Sequence, residues 1–156
     1  EKIQFIFYST NIYSGNTPLT LYAESSVMEK LNPLFDLAGR IFMALLFIPA
    51  GAGKISGYAG TQGYMESVGV PGILLPLVII VELGGGIAIL LGWQTRIVAF
   101  LLAGFCLVSA LLFHFQPADQ MQMILFMKNI AIAGGLLFLV ANGAGALSID
   151  RWRQKS

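Results

Sequence analysis

Four apolar runs alternate along the chain with short polar turns. A bilayer core of ~30 Å takes roughly 20 residues of α-helix. The run GILLPLVIIVELGGGIAILLGW, Gly72 to Trp93, has that length and carries one ionisable side chain, Glu82, at its midpoint. Ahead of it, residues 37–53 (LAGRIFMALLFIPAGAG) predict a first span with Arg40 near its start, Lys54 just past its end and Pro49 as a source of a kink. Beyond the turn GWQTR, residues 97–115 predict a third span, with Ala99 and Ala103 at small-xxx-small spacing and His114 at its far end. After FQPADQ comes the fourth, MILFMKNIAIAGGLLFLVA, which contains Lys128 and Asn129. The pattern predicts an all-α protein, an integral membrane antiparallel four-helix bundle.

The intervening stretches are of other kinds. Residues 54–72 are too polar to span, and within them TQGYMESVG predicts a short interfacial helix with Tyr58 and Tyr64 at headgroup depth. Residues 1–27 are read as an N-terminal extension to a membrane domain over 28–156, either disordered or a weak hairpin. In the hairpin reading KIQFIFY is the first strand, STNIYSGNTP the turn and LTLYAE the return strand. NGAGALSIDRWRQKS, after the fourth run, is expected to be an exposed, basic tail.

Composition narrows the class. Hydrophobic residues make up 56% and charged residues 11%, whereas soluble domains are about one quarter charged. An ordinary soluble domain is excluded. With a net charge of +1 and no Lys/Arg cluster long enough to follow a phosphate backbone, nucleic acid is excluded as a partner. The single cysteine, Cys106, lies in an apolar run and reads as a small buried hydrophobe. One histidine cannot supply bis-His haem ligation and one cysteine cannot hold an iron–sulfur cluster, so no metal and no intrinsic cofactor is expected. Lys30, Arg40, Arg96, Arg151, Arg153 and Lys155 fall on one side of the bundle, and only Lys54 and Lys128 toward the other. The positive-inside rule then places both termini in the cytoplasm.

Charges at bilayer depth cost roughly 2.5–3.5 kcal/mol each on insertion scales and face protein or trapped water with a partner. Lys54, Glu82, His114 and Lys128 each come from a different span and fall toward the same half of the membrane. They are expected to converge on one polar pocket, with Glu82 accepting from Lys128 or Lys54 and Asn129 hydrogen-bonding nearby. Behind these ligand-binding candidates stand Arg40, expected to snorkel to the headgroups, and Tyr64. The alternative is a buried ion pair that only sets helix register. No catalytic residue is assigned.

Arg40, the GAGK of Gly51 to Lys54, GYAGTQGYMESVGVP, the ELGGGIAILLG of Glu82 to Gly92 and the FMKNIAIAGGLL of Phe126 to Leu137 together resemble the DoxX family, in its YqjF-like branch. The resemblance covers Met28 to Trp152. It implies a small four-helix protein of the bacterial inner membrane, associated with quinone-linked oxidoreductases and with oxidative-stress defence. Quinone is then the expected ligand, and the partners are the lipid bilayer, a soluble oxidoreductase and a further copy of the chain. Two other classes are consistent with the residues: a non-enzymatic scaffold or receptor for partner proteins, and a small-solute or proton pathway.

Overall fold

Each of the four apolar runs is helical. A computed structural model describes residues 18–155, with side-chain surroundings from residue 28 onward. Helix α1 is Pro18–Ser56, α2 Tyr58–Ser67, α3 Gly72–Leu91, α4 Thr95–His114, α5 Gln120–Asn142 and α6 Ile149–Arg153. Four of them, with α1 counted from Met28, are long and apolar enough to cross a membrane, and the described residues contain no strand. KIQFIFY lies outside the described residues, whereas the return strand expected over LTLYAE is part of α1. The first of two compact units ends at Asn32, and all that follows concerns the second, Pro33–Ser156.

The turns are made by residues suited to them. Gly92, at φ +67°, and Gln94, at φ +47°, close α3 and start α4; a left-handed φ costs a glycine little. Asp119 caps α5 by accepting from the backbone N–H of Met121 and Gln122, satisfying donors that have no partner within the helix.

Small side chains fill the interior. Ala99, Ala103 and Cys106 of α4 pack with Ala133 and Leu136 of α5 and with Phe47 and Ile89 of α1 and α3, all buried. Large side chains such as Phe42 and Phe138 point outward, the latter 73% exposed. Lipid removes the hydrophobic drive between helices, so close packing of small residues holds them together.

At one end of the bundle the segment after α5 folds back instead of trailing away. Arg40 is 1% exposed; its Nη1 donates to Leu90 O at 3.0 Å and its Nη2 to Leu147 O. Snorkelling does not occur there, because two carbonyls at helix and loop ends, each short of a donor, hold the guanidinium inside. Asp150 accepts from the N–H of Gln94 (2.7 Å) and Thr95 (2.8 Å), capping α4 from 55 residues away, while its own N–H donates to Gly92 O. The stretch read as an exposed tail is therefore partly a structural clasp across α1, α3 and α4, with Ala144 buried.

Candidate functional site

Arg40, Phe47 and Lys54 stand seven residues apart on α1, which puts them on one stripe of the helix. That stripe meets α3 in antiparallel order: Arg40 at Leu90, Phe47 at Gly86 and Lys54 at Glu82. The backbones approach closely. A Cβ on Gly86 would lie 3.0 Å from Phe47 Cβ, and one on Gly51 would lie 2.8 Å from Leu83 N. This approach lets the Lys54 side chain reach a carboxylate ten residues into α3. Nζ lies 2.9 Å from Glu82 Oε1, a hydrogen bond, and 2.7 Å from Oε2. The ammonium thus meets both oxygens of the carboxylate, and Oε2 is buried.

Helix α1 crosses α3 at Gly51 and Leu83 and ends five residues later at Ser56, only ~8 Å further on at 1.5 Å per residue. From Leu83 back to Gly72, α3 has eleven residues still to run, or ~16 Å. Helix α2 packs beside that remaining stretch. Between α2, α3 and α4 lies a cavity of about 350 Å³. Its polar wall is Lys54, Glu82, Thr61, Tyr64, Ser109 and His114; Leu77, Val81, Phe105 and their neighbours supply the apolar remainder. Tyr64 and Phe113, both in its wall, stack on each other with ring centroids 5.7 Å apart.

Two irregular turns bound this cavity. Helix α3 widens to π geometry over Ile80–Gly84, which carries Glu82, and α4 does so over Ala110–His114, which carries Phe113 and His114. A π turn shifts the residues after it around the helix and is found frequently at functional sites. His114 Nδ1 lies 2.8 Å from Gln122 Oε1. That contact ties the ring to the first turn of α5.

Of the residues singled out in the sequence, Lys54, Glu82, His114 and Tyr64 line one cavity, and three do not. Lys128 does not partner Glu82. It is exposed on α5 with no ion-pair partner among the described residues. Five positions before Ala133, which packs on α4, it is turned about 140° away from that contact. Asn129 donates to Leu125 O of its own helix at 3.0 Å, and Arg40 belongs to the opposite end. Thr61, Ser109, Phe113 and Gln122 escaped the sequence reading: single polar or aromatic residues in these runs carry no signal, and π turns have no sequence signature.

The comparisons with known proteins agree with this architecture. A family model described as DoxX matches residues 35–115. The inner membrane protein YqjF of Escherichia coli K12 is 55% identical over 128 residues, covering 82% of this chain and 98% of that protein. The inner membrane protein YphA of the same organism is 38% identical over 126 residues, covering 76% and 90%. A Bacillus subtilis protein described as putative oxidoreductase CatD is 32% identical over 76 residues, 49% of this chain and 57% of its own length. No solved structure matches the chain.

Proposed function

The chain belongs to the DoxX family of multi-pass proteins of the bacterial inner membrane, and on that premise we propose that it is the membrane component of a quinone-linked redox system whose cavity takes the quinone headgroup. One observation carries the reading: an ion pair set near the middle of α3 forms part of the wall of a mostly apolar cavity. A register device needs the pair but not the space. The oxidoreductase in the description of the B. subtilis relative points in the same direction.

The residues suit such a ligand. A cavity of about 350 Å³ falls in the ~300–1,000 Å³ range of small-molecule sites, which are mostly apolar with a few placed polar groups. Tyr64 and Phe113, stacked on each other, add an aromatic part to the wall that a ring can pack against. When bound, the quinone supplies a two-electron, two-proton couple, its electrons exchanged with a soluble oxidoreductase partner. The chain's own residues manage the protons. Glu82, paired with Lys54, is the one carboxylate in the cavity wall and stands where it can exchange a proton with a bound ring. His114, held by Gln122 through Nδ1, is a second polar group in the same wall.

The orientation proposed with this reading, both termini cytoplasmic, follows the arginine distribution and is checked by labelling single cysteines placed in the turns of a Cys106→Ala background. The binding test titrates a short-chain quinone into the full chain in nanodiscs, followed by calorimetry. Saturable binding is expected, weakened about 10–100-fold in Glu82→Gln, as loss of a hydrogen bond to a charged group implies. Folded protein that shows no saturable binding overturns the reading in favour of a scaffold. Proton flux through the reconstituted wild type that Glu82→Gln stops, without any quinone, favours a proton pathway instead.

A further inference from the structure

The opposite end of the bundle holds a second and larger concavity, of about 790 Å³, between α4, α6 and the loop after α5. Arg96, from the first turn of α4, and Arg151 and Arg153, from α6, line it. Among the described residues there is one ion pair, Lys54 with Glu82, and none of these three guanidiniums has a carboxylate of those residues within salt-bridge distance. Arg151 reaches only the amide oxygen of Gln154, at 3.4 Å. Asp150 is the one carboxylate in the wall, and both its oxygens are taken by the backbone N–H of Gln94 and Thr95. It offsets part of the field of Arg153 and leaves the concavity with surplus positive charge.

Arg96 is positioned as well as charged. It lies across Gly143, which closes α5 at φ +80°; a Cβ there would sit 3.4 Å from Arg96 Nε. A guanidinium at a helix C-terminus is stabilised by the helix dipole. The residue after Arg96 changes character at once. Ile97 lines the same concavity and is 60% exposed, and with Phe100 and Leu101 it begins the outward apolar stripe of α4. Guanidiniums with no ion pair among the described residues thus border the point where a lipid-facing stripe starts, which is the level of the phosphates when the spans cross a bilayer.

We propose that this concavity is a site for an anionic glycerophospholipid, with the phosphate held by Arg96, Arg151 and Arg153 and the acyl chains lying along Ile97, Phe100 and Leu101. Guanidinium suits phosphate because its donors form a planar fork, and basic pockets between spans bind such headgroups. The site lies at the other end of the bundle from the quinone cavity and does not depend on it.

The test reconstitutes the full chain in phosphatidylcholine nanodiscs with and without phosphatidylglycerol, and reads retained lipid by native mass spectrometry after extraction together with the thermal midpoint. Wild type is expected to retain phosphatidylglycerol preferentially and to melt higher in its presence. Each arginine changed to Gln should weaken that preference about fivefold, and Arg96→Gln/Arg151→Gln/Arg153→Gln on the order of 100-fold. Arg153→Gln alone, on the short α6, gives the fivefold reading should the triple variant not fold. Equal retention of both lipids by wild type, or an unchanged preference in Arg153→Gln, overturns the proposal. Inorganic phosphate that by itself reproduces the stabilisation overturns the lipid assignment in favour of free phosphate.

Discussion

Removing one partner of the Lys54–Glu82 pair should cost far more than removing both. At 2.7–2.9 Å and an effective dielectric of about 20, the attraction is ~6 kcal/mol, largely offset by the water both ions have lost. The two partners are unequally placed: the Glu82 side chain is 8% exposed and that of Lys54 26%. Lys54→Met strands a buried carboxylate, a change expected to cost about 3–5 kcal/mol. Glu82→Gln leaves an ammonium that still reaches water and an amide oxygen that still accepts from it, so about 1–3 kcal/mol is expected. The double variant, a near-isosteric polar and apolar replacement, should return to within about 1 kcal/mol of wild type. The assay is reversible unfolding in mixed micelles by SDS titration, followed by circular dichroism. Single effects that add in the double variant to within about 0.5 kcal/mol would mean the two residues are uncoupled and the geometry of the site is wrong.

Other residues give independent tests. Burial alone would raise the pKa of Asp150, but the N–H groups of Thr95 and Gln94, a nearby Thr95 hydroxyl and Arg153 outweigh it and hold the carboxyl below the usual range. Its stabilisation is therefore full above the unfolded value of ~3.9 and is lost as pH falls through the lower folded value. Thermal melts of wild type and Asp150→Asn should differ at neutral pH, by about 1 kcal/mol for the cap, and converge below that window. Gly92→Ala forces a side chain to φ +67° and against Arg40 Nη1. It should cost about 2–3 kcal/mol by the same SDS titration, while Gly104→Ala, in open space, should be neutral or mildly stabilising. Lys128→Met should leave quinone affinity measured by calorimetry unchanged, since Lys128 lines no part of the cavity.

How much of this was legible depended on the range of the interaction concerned. Apolar run length sets helix span directly, so the four spans, their order and the burial of Ala99, Ala103 and Cys106 could be read from the chain. The seven-residue spacing of Arg40, Phe47 and Lys54 was also readable, because periodicity within one helix is local. Which charge Glu82 meets was not, since Lys54 and Lys128 were equally available by depth and differ only in rotation about their helices.

Two further features followed from tertiary contact alone. The π turns at Ile80–Gly84 and Ala110–His114 carry no residue signature; they appear where packing rotates one stretch of helix against the next, and they bring Glu82 and His114 to one cavity. The fold-back of the loop after α5 depends on Arg40 finding the carbonyls of Leu90 and Leu147, partners 50 and 107 residues away that leave no local trace. Hydrophobicity and length, which act residue by residue, determined that this chain is a four-span membrane protein. Which polar groups meet was decided by the rotation and crossing of packed helices, because a hydrogen bond is made or lost over about 1 Å.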